Sequence, residues 1–198
     1  MKGGGAVLCR AAGGGRGLVG CQGARARGVT RVGTWSSDAK ALLAREYACT
    51  NTIIYTRENF VERVKEITGG KGVPVVYDSV GKDTFPASLD CLSPRGMFVS
   101  FGGSSGSVPP FNIALLSQKG SLYATRPTLF TYASNHAALN ALSSELFPLV
   151  TAGASKPDAR HTLTPMDASA APLSAASRPT AGAPWLRPQF GVGSGCAS

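Results

Sequence analysis

Residues Ala6–Gly17 read A-V-L-C-R-A-A-G-G-G-R-G, and no other stretch narrows the fold so far. A short apolar run (Ala6, Val7, Leu8, Cys9) ends in a turn with glycine at positions 13, 14, 15 and 17. Leu18–Ala26 behind it has helical composition. Strand, glycine turn and helix, in that order, form the setting of a dinucleotide fingerprint. The spacing G-x-G-x-x-G/A is met in variant form, with Ala12, Gly14 and Gly17 in the three fixed places. The first small residue permits a tight turn, and the second lets backbone N–H groups approach a pyrophosphate. The third lets helix and strand pack closely, while the helix N-terminus supplies partial positive charge. Glycine also fills positions 3–5, so on the turn alone a low-complexity tract is an equal reading.

Downstream the chain alternates apolar runs with helical patterns. Strands are expected at Ala6–Cys9, Val29–Trp35, Thr52–Tyr55, Val73–Tyr77, Met97–Phe101 and Ser121–Ala124. Helices are expected at Gly17–Ala26, Asp38–Glu46, Asn59–Ile67, Lys82–Leu92 and Leu115–Lys119. Phe60, Val61, Val64 and Ile67 recur at helical spacing, so that helix should lay one face on a sheet. The fold class is therefore α/β: a Rossmann-type, doubly wound parallel sheet of six strands in the order 3-2-1-4-5-6. A ligand then sits beyond the carboxyl ends of the strands, where the glycine turn also lies. Ala138–Val150 reads as one more amphipathic helix, with Pro148 inside its last turn. From about residue 153 Ala, Pro, Ser and Gly dominate. The expected division is a nucleotide-binding domain over 1–152 and a largely disordered tail over 153–198, with no strand pattern in Ala183–Ser198.

Charge and cysteine content bound the function. The formal net charge is +9, and up to Thr50 eight Lys and Arg residues stand against Asp38 and Glu46. An Arg-rich start without acids has transit-peptide composition, yet the same residues already supply a strand, a turn and a helix. Nucleic-acid binding is disfavoured, because the arginines do not alternate with exposed aromatics. The five cysteines show no C-x-x-C and no histidine at ligand spacing, so reduced thiols are expected and a structural zinc is not. No apolar run reaches membrane-spanning length. A cytoplasmic protein without a membrane partner is the expectation.

Three stretches carry a longer likeness: Val73–Gly81 (V-P-V-V-Y-D-S-V-G), Leu89–Gly106 (L-D-C-L-S-P-R-G-M-F-V-S-F-G-G-S-S-G) and Gln118–Thr128 (Q-K-G-S-L-Y-A-T-R-P-T). They resemble the quinone oxidoreductases, the zinc-free, zeta-crystallin-like branch of the medium-chain dehydrogenase/reductase superfamily. The resemblance runs from about Val7 to about Gly153. It implies hydride transfer from NADPH to a quinone or another small electrophilic acceptor, with a homodimer left open. That family carries a GroES-like catalytic domain before the glycine turn, and here Met1 sits just ahead of the first strand. The chain is thus expected to be a cofactor-binding half with little activity alone. A nucleotide-binding or assembly module without turnover is the alternative.

By this resemblance the pyrophosphate falls to Gly14, Gly15, Arg16 and Gly17, where Arg16 replaces the usual valine. Ser36, Ser37, Lys40 and Tyr55 stand where the NADPH-dependent members hold the 2′-phosphate and adenine. An acidic residue at the end of the second strand would instead favour NAD. Asp38 lies near that spacing, but Ser-Ser-Asp is also ordinary helix-start composition. Ser79 falls by the ribose, next to Asp78, which could instead cap a helix. Phe101, Gly102, Gly103 and Ser104 resemble the nicotinamide loop, with Gly103 replacing its usual asparagine. Arg126 resembles a residue beside the nicotinamide, and Arg178 a tail arginine near the 2′-phosphate. No residue is assigned to proton transfer, since the cofactor carries the chemistry and the protein supplies orientation and dipoles.

Overall fold

The computed structural model describes residues 5–10, 28–35, 38 and 49–153, together with the strand backbones at 161–163 and 184–186. The chain divides into two compact units, Met1–Pro157 and Asp158–Ser198. The first unit holds a six-stranded sheet: β1 (Ala6–Cys9), β2 (Thr30–Trp35), β3 (Asn51–Ile54), β4 (Val73–Asp78), β5 (Leu92–Ser100) and β6 (Tyr123–Thr125). The order is β3-β2-β1-β4-β5-β6, and every adjacent pair is parallel. This is the expected Rossmann order. The chain runs outward from β1 to β3, then returns to β4 and runs outward the other way. That reversal puts a crevice at the carboxyl ends of β1 and β4.

Strand alternation sorts the core. Leu8, Val32, Ile53, Val76 and Phe98 point to one face, beneath α1 (Phe60–Ile67). Val7, Val29 and Val75 point to the other. Helix α1 begins as the sequence predicts, because the Asn59 side chain accepts from the Val61 N–H at 3.0 Å. It buries Val64 completely and lays Phe60, Val61 and Ile67 against the sheet. Gly69 and Gly70, both at positive φ, carry the chain away from its end. Further on, α2 (Ala114–Gln118), α3 (Leu129–Tyr132) and α4 (His136–Thr151) follow. None of α4 is buried, so its apolar residues Leu139, Leu142, Leu146 and Phe147 lie uncovered.

Three expectations are corrected. Lys82–Leu92 is not a helix: turns lead into a single 3-10 segment, Ala87–Cys91. Pro86 has no N–H to donate and bars Phe85 from helical backbone. Strand β5 starts at Leu92 rather than Met97, because Pro94-Arg95-Gly96 forms an irregularity inside it, with Arg95 at φ 60°. In the second unit Pro184–Leu186 does form a strand, parallel to His161–Leu163. Three residues are too few for periodicity to register, and a proline in first place costs no ladder donor. The helix expected at Gly17–Ala26 lies outside the described residues, as does most of Asp38–Glu46.

Cys91 sits wholly inside the core, and burial pushes its thiol from the ordinary 9.0 up to about 12, against the pull of Arg10. The folded state therefore keeps this proton at pH values where the unfolded chain has lost it. Its contribution to stability is present below about pH 9 and drains away as the pH rises toward 12. At pH 8, iodoacetamide should modify the half-buried Cys9 well before Cys91 in the native chain. Equal rates by peptide mass spectrometry would contradict this.

Candidate functional site

Three groups of residues meet the carboxyl edge of the sheet. The first lies at the ends of β2 and β3. The Tyr55 N–H donates to the carbonyl of Trp35 at 3.1 Å, which ties Tyr55 to the residue just before Ser36 and Ser37. Its ring is half open to solvent. Asp38 is also exposed, and its carboxylate is taken by Arg57, with Nη2 2.6 Å from Oδ1. Sequence reasoning passed over Arg57, because nothing in T-R-E-N marks it; only the fold brings it to Asp38.

The second group is at the crevice. The Ser79 hydroxyl donates to the Arg10 carbonyl at 3.2 Å, where the glycine turn departs from β1. Asp78 precedes it and is completely buried. Its Oδ1 accepts from the N–H groups of Val80 and Gly81 at 2.8 and 3.0 Å. Its Oδ2 accepts from the hydroxyls of Thr84 and Ser88 at 2.7 and 2.8 Å. Asp78 thus caps a turn rather than a helix. Arg10, 4 % exposed, packs its guanidinium over the Phe60 ring, 3.7 Å from the centroid. Burial lowers its pKa, and Asp78 is the strongest of the groups opposing that shift. Among the described residues, the Nε and Nη1 of Arg10 have no hydrogen-bond partner. Arg10, one of the eight basic residues before Thr50, is thus a buried cation.

The third group is the loop after β5. Backbone bonds from Ser104 N–H to Ser79 carbonyl (3.1 Å) and from Ser105 N–H to Val80 carbonyl (2.9 Å) lay it across the end of β4. A Cβ on Gly102 would stand 2.7 Å from the Ser79 carbonyl oxygen, so only glycine fits there without movement. Phe101 meets Tyr77 edge to face, with ring centroids 6.5 Å apart. Burial raises the Tyr77 hydroxyl pKa. Arg126 reaches back to this loop, and its Nη1 donates to the Gly102 carbonyl at 2.8 Å.

The structure thus brings Ser79, Phe101, Gly102, Gly103, Ser104 and Arg126 together, with Tyr55 farther along the same edge. Gly14, Gly15, Arg16, Gly17, Ser36, Ser37, Lys40 and Arg178 lie outside the described residues. Among the described residues, no group of three or more His, Cys, Asp or Glu side chains could hold a metal, and no helix is long and apolar enough to cross a membrane.

Comparison with known proteins fits this geometry. The family described as zinc-binding dehydrogenase matches residues 15–139, more than half of the chain. The chain belongs to that family. A quinone oxidoreductase of Pseudomonas aeruginosa is 48 % identical over 188 residues, covering 95 % of this chain and 58 % of its own length. A 2-haloacrylate reductase of a Burkholderia species is 44 % identical over 190 residues, covering 96 % and 57 %. The crystal structure of Escherichia coli quinone oxidoreductase complexed with NADPH superposes with a TM-score of 0.89 at 46 % identity. It covers 95 % of this chain and 58 % of that one. The chain is a quinone oxidoreductase-like member of the zinc-free branch of the medium-chain dehydrogenases/reductases. It spans somewhat more than half the length of the relatives it matches. The Pseudomonas match also continues past Gly153, farther than the likeness legible in the motifs.

Proposed function

We propose that this chain is the cofactor-binding part of a cytoplasmic, NADPH-dependent oxidoreductase that reduces a quinone or another small electrophilic acceptor. The observation that supports it most is the crossover itself: the glycine turn leaves β1 where the sheet reverses direction, and Ser79 holds that departure point. NADPH, when bound, supplies the hydride. The surroundings suit it. At the nicotinamide end, the N–H groups of Gly102 and Gly103 have no acceptor among the described residues; Gly103 is exposed and Gly102 half-buried. At the other end Tyr55 offers a ring and a hydroxyl, while Arg57 pairs with Asp38, whose charge would otherwise disfavour a 2′-phosphate nearby. On this reading Gly14, Gly15, Arg16 and Gly17 take the pyrophosphate, and Ser36, Ser37, Lys40 and Tyr55 the 2′-phosphate and adenine.

The coenzyme preference tests the reading. One charge-assisted contact at a partly exposed site is worth about 1.5–3 kcal/mol, or roughly tenfold or more in affinity. NADPH should bind the chain at least several-fold tighter than NADH, and Lys40→Ala should remove most of that gap. Added salt should shrink it. Equal affinities by fluorescence titration would sink the assignment. So would a result in which Asp38→Ala, and not Lys40→Ala, changes the preference. Steady-state NADPH oxidation with a quinone then separates an enzyme from the second reading, a nucleotide-binding module that does not turn over.

A further inference from the structure

Arg126 follows β6 directly, and a single nitrogen of its guanidinium serves three acceptors. Nη1 donates to the Gly102 carbonyl at 2.8 Å and to the Ser100 carbonyl and hydroxyl oxygens at 3.2 Å each. In a trans peptide the C=O and the following N–H point in opposite directions. With the Ser100 carbonyl turned to Arg126, the Phe101 N–H faces the other way and donates to the Asp78 carbonyl at 2.9 Å. The same rule applied two peptides later, where the Gly102 carbonyl is turned to Arg126, aims the Gly103 N–H away from it, and among the described residues that N–H donates to nothing.

We propose that Arg126 is a positioning residue: it fixes the Gly102–Gly103 peptide so that the Gly103 N–H stands ready for an acceptor oxygen of the cofactor. The proposal rests on the cofactor reading above. Two adjacent glycines have the widest backbone freedom of any dipeptide, so an outward N–H here needs something to hold it. A cationic donor on two carbonyls is a stronger hold than a neutral one. Arg126 does not touch the nucleotide; it acts through the loop.

The test uses the 198-residue chain as wild type, Arg126→Ala and Arg126→Lys. Amide exchange is followed without nucleotide, and NADPH and NADH are titrated at low and high salt. Arg126→Ala should speed exchange at Phe101, Ser104 and Ser105 about tenfold and weaken both nucleotides by a common factor of about ten. That factor should not depend on salt. Arg126→Lys should recover part of both effects, because an ammonium can still reach one carbonyl; it also carries the comparison if the alanine variant fails to fold. Weakened binding with unchanged exchange would mean direct contact with the cofactor, and faster exchange with unchanged binding would mean a purely structural clamp. Either overturns the proposal. A wild-type chain that binds neither nucleotide overturns it together with the cofactor reading, and the exchange data then show whether the clamp itself stands.

Discussion

Asp78→Ala should destabilise the first unit more than any other single side-chain truncation at the crevice, by about 3–5 kcal/mol. The carboxylate has no exposed surface and takes four hydrogen bonds, two from backbone N–H groups and two from hydroxyls. Alanine leaves all four donors buried without that acceptor. It also leaves the Arg10 guanidinium, desolvated over Phe60, without the charge that most offsets its burial. Thr84 retains a second acceptor in the Gly81 carbonyl at 3.0 Å, so it adds least to the loss. Thr84→Ala and Ser88→Ala should each cost about 1 kcal/mol.

The pair is asymmetric, and that gives a sharper form of the prediction. Asp78 is held by four hydrogen bonds, whereas two nitrogens of Arg10 have none among the described residues. Arg10→Met keeps the packing over Phe60, removes the orphaned donors and leaves a carboxylate that its own turn still solvates. It should cost much less than Asp78→Ala. Urea denaturation of the two variants decides the matter. Equal losses would mean that the charge pair, not the hydrogen-bonded turn, carries the stability here.

The strand order was legible because it follows from periodicity and chirality, which a single sequence displays. Apolar runs alternate with helical patterns, and right-handed crossovers leave few ways to join them. The interior of the site was less legible, for a physical reason. In D-S-V-G the sequence places the aspartate by the ribose, with a helix cap as the alternative, and its hydrogen bonding depends on Thr84 and Ser88 turning their hydroxyls inward. They do so because Pro86 breaks the helix that Lys82–Leu92 would otherwise form. Arg126 read only as a residue beside the nicotinamide, since its acceptors lie 24 and 26 residues back, at the end of β5 and in the loop after it. Arg57 and Asp38 are 19 residues apart and meet only through the β2–β3 pairing. Local patterns announce elements, while partners across the sheet edge need the fold.

Backbone contacts between the β4 and β5 loops lead to the second large effect. Gly81→Ala should destabilise the chain by about 2–5 kcal/mol and abolish tight nucleotide binding. Gly81 has φ 94°, a conformation that L side chains rarely adopt. A Cβ there would also fall far inside contact distance of the Gly106 carbonyl oxygen, which is backbone and cannot swing aside. That oxygen already accepts from the Lys82 N–H at 3.1 Å. The two loops would have to part, breaking the bonds from Ser104 and Ser105 to Ser79 and Val80 and moving Gly102 and Gly103 off the crevice. Gly102→Ala should hurt less, because its φ is unremarkable for a side chain and only the 2.7 Å approach to Ser79 must be relieved. Gly103→Ala should hurt least, its nearest neighbour being the Gly106 carbonyl oxygen at 3.2 Å. The expected order of loss, Gly81 over Gly102 over Gly103, is read from denaturation midpoints and from NADPH titration of the same three variants. If Gly81→Ala unfolds at the wild-type midpoint, the two loops do not touch in solution and the site they frame is not preformed.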